Sequence, residues 1–481
     1  MWLFVWNTTP SKLFKGTQQY SKLFVGTTKV RPTTPTPVAE YIEYVIEADS
    51  RWYIYIPTFW YSINGYQNCP YNWKVSIDGW TATTYSGTGG SNISLSWYTA
   101  GQEYSVKIEP LVEGYWWARA YWWYGSSWAG NLKSITYDGS YIWYGMSDTD
   151  PWNYFRFQQY RGCSKIESAP AEYLPNTVTS TWSSFRTGQY YGCSNLETLP
   201  AEFLPNSITT INTGFRNNQY YGCKATSAAT ECIPSSVTSI SNYFRAYQYG
   251  YCTHLTTGAT EVLPNSVLTI GSYFRQSMYV ACTALTNPPA ECLSSSITII
   301  PNAYRINQYS GAGVTQMATE YMPNSVTSIW TQFRFAQYEN CANLVSLSNE
   351  VISNSLVSVG NSFRMYQFYG CTNLTTNATE AFVDSATIWT SFREEQYSGC
   401  PNILTAYLYG HTDSNPSSNH YRYEQFKNSY STTFYLSWNV VDSGLDRMWT
   451  NMYIHTYYVP SSLLSQYEAT PQYDWWIFIW Y

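Results

Sequence analysis

The chain has 481 residues, of which 49 are Tyr, 22 Trp and 20 Phe, whereas only 12% are charged and the formal net charge is −6. Abundant aromatic residues together with Ser, Thr and Asn indicate an ordered, β-rich protein rather than a disordered one. The scarcity of basic residues argues against a nucleic-acid partner or an anionic membrane surface. No apolar stretch reaches the length of about 18 residues that a membrane span requires.

Residues 1–31 repeat a short apolar pattern every ten residues. Each repeat predicts a short β-strand followed by a polar turn. Three strands are too few for a core of their own, so this arm is expected either to add strands to a neighbouring copy of the protein or to fold back on its own domain. No secretory signal is recognisable here, which leaves the export route open. The candidate contact residues of the arm are Leu3, Phe4, Leu13, Phe14, Leu23 and Phe24.

Residues 32–37 are rich in Pro and Thr and predict a stiff, extended linker. Residues 38–136 contain segments in which apolar and polar positions alternate, as in half-buried strands. The segment Tyr98–Ile108 resembles the closing strand of PKD-like and other immunoglobulin-type sandwiches, and this resemblance implies an Ig-like β-sandwich over 38–136. The predicted strands are Tyr41–Ile46, Trp52–Ile56, Trp73–Ile77, Ile93–Trp97 and Tyr104–Ile108.

The most aromatic run of the chain is Tyr115–Tyr124, which contains Trp116, Trp117, Trp122 and Trp123. If it is exposed, this run is a platform for sugars or for a partner protein. The alternative is that it forms the joint between two domains.

The motif Phe-Arg-x-x-Gln-Tyr-x-Gly-Cys, first seen at Phe155–Cys163, organises residues 137–430. It recurs at steps of 29 or 30 residues, and self-similarity at a fixed period predicts a solenoid, here of about nine coils. The terminal coils need caps, and residues 431–481 are the predicted C-terminal cap. A degenerate tenth copy contains Arg422, and the arginines before it are Arg156, Arg186, Arg216, Arg245, Arg275, Arg305, Arg334, Arg364 and Arg393.

The order of elements within a coil follows from its residue types. The Phe-Arg segment predicts a single helical or 3₁₀ turn, because Arg and Gln three positions apart would share a face. Leu-Pro-Asn-Ser suits a turn, and the β-branched segment that follows it, such as Val326–Ile329, suits a strand in a parallel stack. In this scheme Phe and Cys enter the core, and Tyr is the motif residue that faces a partner.

Cys-x-x-Leu, followed by Leu-Pro-Asn-Ser-Val-Thr-Ser-Ile and an aromatic residue before the next Cys, resembles the BspA-like leucine-rich repeats of bacterial surface proteins. The resemblance covers roughly residues 140–430. It implies a leucine-rich-repeat-type solenoid and an adhesive role at a cell surface. The coils here are longer than those of the family, and the additional residues carry the repeated Arg and Glu. The predicted fold class is therefore mainly β, an Ig-like sandwich followed by this solenoid.

Eight cysteines occupy one position of the repeat. They are interpreted as a column of buried thiols, since a free Cys packs as a small apolar residue; disulfides between adjacent coils are the alternative. Ala312 replaces Cys in one coil without disturbing the surrounding pattern, which favours packing. The column consists of Cys163, Cys193, Cys223, Cys252, Cys282, Cys341, Cys371 and Cys400.

A repeated glutamate gives the coils a second charged position. Stacking would place equivalent charges about 5 Å apart, so like charges repel unless opposite charges or hydrogen bonds compensate. We hypothesise that each Arg binds a Glu or coil carbonyls in a continuous ladder, although the two lie about half a coil apart. The glutamates are Glu172, Glu202, Glu231, Glu261, Glu291, Glu320, Glu350 and Glu380.

Signatures of catalysis and of cofactor binding are missing from the sequence. The four histidines share no spacing typical of a metal site or a triad, and no calcium loop or phosphate loop occurs. We therefore expect no metal and no cofactor, and a non-catalytic, structural or adhesive protein that is extracellular or at the cell surface. A self-assembling fibre or layer subunit is favoured. The alternatives are a monomeric adhesin that binds glycan or protein on another cell, and a receptor-binding appendage of a phage-like particle.

Overall fold

A computed structural model describes most of the repeat region and separate segments on either side of it. No helix within the described residues is long and apolar enough to cross a membrane. The described residues are 14–15, 18–19, 23–25, 28–30, 41–47, 53–56, 60–62, 65–67, 70–78, 82–88, 91–94, 99–110, 132–138, 158, 160–169, 172–173, 178–229, 231–259, 261–318, 320–347, 350–351, 353, 355–377, 380–381, 386–389, 391–408, 423–430, 433–436, 455–469 and 477–480.

Four short strands of the N-terminal arm form two antiparallel pairs, β1 with β2 and β3 with β4. Each of these two ten-residue repeats therefore supplies two strands, where the sequence predicted one strand and a turn. The strands are β1 Phe14–Lys15, β2 Gln18–Gln19, β3 Leu23–Val25 and β4 Thr28–Val30.

The next part of the chain forms a five-stranded antiparallel sheet in the order β10-β9-β12-β5-β13, with separate pairs β6–β11 and β7–β8. Each of the five strands predicted from alternation overlaps a described strand, and Trp52 and residues 95–97 of these predictions lie outside the described residues. The Ig-like sandwich stays a prediction. The strands are β5 Tyr41–Glu47, β6 Tyr53–Ile56, β7 Trp60–Ser62, β8 Gly65–Gln67, β9 Pro70–Ile77, β10 Thr83–Thr88, β11 Ser91–Ser94, β12 Glu103–Pro110 and β13 Leu132–Asp138.

This sheet shares a core with the first coil of the repeat array. Its buried side chains belong to the same apolar cluster as Tyr160 and Cys163. Lys165 Nζ lies 2.6 Å from Glu47 Oε1 and ties the coil to β5. Because a terminal coil exposes an apolar end, we conclude that the sheet covers that end. The contributing sheet residues are Tyr44, Ile46, Val75, Val106 and Leu132.

Most coils of the array contribute two very short described strands, which pair in parallel with the equivalent residues of neighbouring coils in runs of two to four strands, as Glu172 does with Glu202 and Ile329 with Val359. The chain is thus a β-rich repeat solenoid. The strands are β14 Glu172–Tyr173, β15 Glu202–Phe203, β16 Thr210–Ile211, β17 Glu231–Cys232, β18 Ser239–Ile240, β19 Glu261–Val262, β20 Thr269–Ile270, β21 Glu291–Cys292, β22 Ile299–Ile300, β23 Glu320–Tyr321, β24 Ser328–Ile329, β25 Glu350–Val351, β26 Ser358–Val359, β27 Glu380–Ala381 and β28 Thr387–Ile388.

The Phe-Arg segment is a run of tight turns and not the helical or 3₁₀ turn that the sequence predicted. Alternate residues adopt left-handed backbone angles, with φ of 56° at Ser184, 55° at Arg186 and 60° at Gly188. A helix needs right-handed angles at every residue, so the helical prediction is wrong. The N–H of Gly188 donates to a carbonyl of the next coil at 2.7 Å and that of Tyr190 does so at 2.8 Å. Backbone hydrogen bonds between coils thus replace the hydrogen bonds that a helix would form within itself.

Two apolar columns run the length of the array. One contains stacked rings such as Phe185 and Phe215, 5.4 Å apart, with the β-branched residues of the second strands. The other contains the motif Tyr, Cys and Leu residues, with Tyr190 and Tyr220 stacked at 5.6 Å. The prediction that the motif Tyr faces a partner is wrong: from Tyr160 onward these rings are buried, because Tyr stacks on its equivalent in the next coil.

After the last coil the strands lengthen to four residues and form a parallel sheet in the order β29-β30-β31-β32. Phe434, Tyr457 and Tyr467 extend the Tyr-Cys-Leu column into this region. The apolar column therefore continues from the coils into the described part of this sheet. The elements are β29 Thr405–Leu408, β30 Thr433–Leu436, β31 Thr456–Val459, α1 Leu464–Glu468 and β32 Ile477–Trp480.

Candidate functional site

The repeated arginines are buried between the two apolar columns. Each guanidinium carbon lies 4.8–5.2 Å from the centroid of the ring that precedes it in the chain, a cation–π distance. A buried charge requires compensation, so these residues define an internal polar column. Its arginines are Arg186, Arg216, Arg245, Arg275, Arg305, Arg334, Arg364 and Arg393.

Glu202 shows how the charge of the column is balanced. Its carboxylate is buried and forms ion pairs with Arg186 of the same coil and with Arg216 of the next coil, the second at 3.1 Å. Gln219 Nε2 and the Tyr220 hydroxyl each donate to Oε1 at 3.0 Å. Burial alone raises the pKa of Glu202, but the two guanidinium groups and these two donors lower that pKa below its ordinary value. Such a carboxylate stays ionised and is a poor general acid or base.

Among the repeated glutamates, Glu202 is the one whose side chain is described, so the Arg–Glu ladder is seen in atomic detail only there. Arg156 lies outside the described residues. The other glutamates lie in the first strands with their backbones in parallel register, and their side chains lie outside the described residues. They are Glu172, Glu231, Glu261, Glu291, Glu320, Glu350 and Glu380. For these coils the ladder stays a prediction.

A second ladder, made of glutamine amides, runs beside the arginines. Each Nε2 donates to the Oε1 of the preceding coil at 3.0–3.4 Å. The sequence signal is Gln at a fixed position of the motif, and its one replacement by an apolar residue in these coils is Met278. The sequence predicted this Gln on one face with the motif Arg and indicated no partner for its amide. The linked residues are Gln189, Gln219 and Gln248, then Gln308, Gln337, Gln367, Gln396 and Gln425.

The repeated cysteines are buried, unbridged thiols. Seven of them donate through Sγ to a backbone carbonyl of the preceding coil at 3.0–3.3 Å. Burial raises the pKa of Cys193 to about 12 and raises the pKa of Cys282 well above the ordinary value. A thiol in this state is neither a nucleophile nor a metal ligand at neutral pH. Ala312 is buried at the same position, so the column tolerates loss of the sulfur.

A second set of tyrosines, outside the motif position, stacks on the surface. The ring centroids of Tyr191 and Tyr221 are 4.7 Å apart with nearly parallel planes, and the tilted ring of Tyr251 follows at 5.0 Å. Arg161 covers the other end of the stack, 4.4 Å from the Tyr191 centroid. The ring faces therefore cover one another. A sugar that needs an open aromatic face finds little of one here, and the stack presents ring edges and hydroxyl groups instead.

Several predicted contact residues cannot be placed. Leu3, Phe4, Leu13 and the four tryptophans Trp116, Trp117, Trp122 and Trp123 lie outside the described residues. Phe14 lies in β1, and Leu23 and Phe24 lie in β3, with only their backbones described. In the described part of the chain, no three or more His, Cys, Asp or Glu side chains gather closely enough to hold a metal ion.

Comparison with known proteins adds little to this geometry. No protein-family profile and no curated protein sequence matches the chain. Among solved structures, the pneumococcal vaccine antigen PcpA is similar at 10% sequence identity and a TM-score of 0.30, over 66% of this chain and 72% of that one. A likeness at this level carries no functional information, so the function is inferred from the residues of the chain itself.

Proposed function

We propose that this protein is a non-catalytic structural or adhesive component of a cell or particle surface. One observation supports this most strongly. Arg, Glu and Cys, which usually perform chemistry, recur at fixed positions of the coil: the motif Arg, the first-strand Glu and the motif Cys. At these positions the described side chains are buried, with the charge of Glu202 balanced by Arg216 and the thiol of Cys193 protonated. An enzyme needs one accessible constellation, whereas a repeated, internal one stabilises a rod.

We further propose that the rod is a subunit of a fibre or layer. In the described part of the chain β32 is an edge strand that pairs only with β31. Its side chains Ile477 and Ile479 are 48% and 38% exposed. An exposed, apolar edge strand is a template for strand addition. The short pairs β1–β2 and β3–β4 of a second copy are the proposed occupant, because too few strands are joined there to form a core.

An extracellular setting fits the state of the thiols. Oxidising surroundings convert exposed cysteines to disulfides, but burial keeps the repeated cysteines from reacting. The protein would then present its ordered surface outside the cell without needing disulfides for stability, since the stacked columns supply the core. No nucleic acid or cofactor is part of this proposal.

Electron microscopy and analytical ultracentrifugation of four proteins test the assembly proposal. The intact chain is expected to form filaments or sheets, whereas deletion of residues 1–31 and the double substitution Ile477→Lys/Ile479→Lys should each give folded monomers. Leu404→Lys is the matched control, since Leu404 is 59% exposed but lies away from the edge. Filaments that persist in both variants would contradict strand addition. An intact chain that stays monomeric would favour the adhesin, and closed small oligomers would favour the phage-like appendage.

A further inference from the structure

Two exposed tryptophans lie on the solenoid surface in coils that are separated by a single coil. Trp330, Gly360 and Trp389 occupy the same position in three successive coils. Their backbone N–H groups donate to Ile300, Ile329 and Val359, at 2.9, 2.7 and 3.1 Å. Trp330 is 47% exposed and Trp389 is 58% exposed. Neither indole is stacked on another described aromatic ring, in contrast to the surface tyrosines.

The coil does not require a large residue at this position. Earlier coils carry Asn212, Ser241, Gly271 and Pro301 there. In the first described copy the position is Trp182, which packs against the core beside Phe185. A half-exposed indole gains little from burial, so folding alone does not account for Trp330 and Trp389.

The spacing of the coils sets the width between the two indoles. In these same three coils, Phe333, Phe363 and Phe392 stack at 5.0 and 4.9 Å, so the backbones of Trp330 and Trp389 are about 10 Å apart. A flat ring in van der Waals contact with both indoles needs a carbon–carbon distance of about 3.5–4.0 Å on each side. These two distances together are smaller than the separation of the two tryptophan backbones, so a flat ring would fit loosely. A puckered ring, whose atoms lie in two layers with axial hydrogens on each face, is thicker and fills it better.

Between the two indoles the coil surface is formed by the backbone of Gly360, which has no side chain. A Cβ added to Gly360 would lie 2.7 Å from the carbonyl carbon of Trp330 and 2.8 Å from the Thr331 nitrogen. No side chain can therefore rise from that position without a shift of the backbone. Gly360 keeps the space between the two indoles open.

The surroundings of the gap combine hydroxyl groups with the exposed apolar side chains of Ile299 and Val357. The segments 297–303, 326–332, 356–362 and 386–391 contain no Asp, Glu, Lys or Arg. Thr327 and Thr387 are exposed beside the gap, and the Ser328 and Ser358 hydroxyls lie 3.0 Å apart. An ionic ligand would find no opposite charge in these four segments. A neutral ligand with many hydroxyl groups would find both hydrogen-bond partners and apolar contact surface.

We propose that Trp330, Gly360 and Trp389 form a binding slot for a neutral hexopyranose ring of an oligosaccharide or polysaccharide. The axial C–H groups of the sugar would lie against the two indoles, and its hydroxyl groups would reach the Ser and Thr hydroxyls of the neighbouring strands. The slot lies in the row of β24, β26 and β28, away from the proposed assembly edge at β32. It therefore does not depend on assembly, and it goes beyond the structural role proposed above.

Isothermal titration of the intact chain with cellohexaose, mannohexaose and chitohexaose, after a screen on an array of neutral glycans, tests this proposal. At least one neutral glycan should bind, and Trp330→Ala and Trp389→Ala should each weaken that binding tenfold or more. Trp330→Phe should retain part of it. Tyr251→Ala is the matched control because Tyr251 is 50% exposed elsewhere on the array, and it should bind as the intact chain does.

Thermal unfolding of each variant separates loss of the slot from loss of the fold. Because both indoles are half-exposed, the alanine variants are expected to keep the unfolding midpoint of the intact chain. Three outcomes overturn the proposal: no neutral glycan binds at millimolar concentration, both alanine variants bind normally, or the alanine variants abolish self-association of the sugar-free protein. The last outcome would show that the tryptophans are a contact between copies.

Discussion

Arg216 Nη2 lies 3.1 Å from Glu202 Oε2, and this ion pair joins two successive coils inside the array. Both side chains are buried, and Arg186 approaches the other carboxylate oxygen from the same coil as Glu202. Because the Glu202 carboxylate lies between two guanidinium groups, its negative charge offsets the repulsion between the arginines of successive coils. Without it, the column of arginines would carry repelling charges in a medium that screens them poorly.

Replacing Arg216 with Met should destabilise the protein by roughly 3–5 kcal/mol, because it leaves part of the Glu202 charge uncompensated in the core. Denaturant unfolding followed by circular dichroism measures this. The double variant Arg216→Met/Glu202→Gln should recover part of the loss. Arg161→Met, which removes a guanidinium from the surface, is the control and should change stability little. Equal stability of Arg216→Met and the intact chain would exclude a structural ion pair.

Arg275→Met extends the same experiment to a coil whose partner glutamate is not described. A loss of stability similar to that of Arg216→Met is expected if the ladder continues through the array. An unchanged unfolding midpoint would confine the ladder to the coils around Glu202.

Acid should weaken the fold through Glu202. Since its pKa is lower in the folded protein than in the unfolded chain, the unfolded chain binds a proton first as the pH falls. The contribution of Glu202 is thus complete above its unfolded pKa of about 4.3 and is lost as the pH falls through the lower folded value. Denaturant midpoints measured from neutral pH to about pH 2 should fall, and Glu202→Gln should flatten the decline. Identical slopes for the two proteins would rule out this role.

The parallel stack could be predicted from the sequence because its cause is local and repeated. A period of 29 or 30 residues with β-branched segments at fixed positions leaves few arrangements other than coils in register. Three of the five strands of the antiparallel sheet, β5, β9 and β12, were predicted for the same kind of reason, since alternation marks a half-buried strand, whereas β10 and β13 were not predicted. Which strands pair within that sheet depends on contacts between distant segments, and alternation says nothing about them.

The conformation of the Phe-Arg segment could not be predicted in this way. Arg and Gln three apart suggest a helical face, but residues such as Arg186 adopt left-handed angles, which ordinarily cost about 1–2 kcal/mol. Bonds to the next coil and ring stacking offset this cost, and both come from tertiary structure. The same stacking buries Tyr190, which the sequence alone assigned to the surface. The slot between Trp330 and Trp389 was not predicted, because it forms only when three successive coils stack in register.

The glutamine ladder should contribute measurably to stability. Gln337 donates to Gln308 at 3.2 Å and accepts from Gln367 at 3.4 Å. Gln337→Leu would leave two buried amide groups without these partners, and a loss of about 1–3 kcal/mol is expected. Gln316→Leu changes an exposed glutamine and is the control, expected within about 0.5 kcal/mol of the intact chain. Denaturant midpoints compare the two, and equal effects would show that the ladder adds nothing beyond packing.

Thiol labelling should divide the cysteines that the structure describes into two groups. Cys232 is exposed and Cys292 is half-buried, whereas the repeated cysteines of the column are buried. Iodoacetamide labelling followed by peptide mass spectrometry should modify Cys232 first and Cys292 more slowly. The column should react only in denaturant, and this should hold at about pH 9, because burial raises the pKa of Cys193 to about 12. Cys232→Ser should remove the label from this peptide and leave the column unchanged. Labelling of Cys252 or Cys341 in the native protein at the rate of Cys232 would contradict the buried column, since a thiol that reacts this fast must be open to solvent.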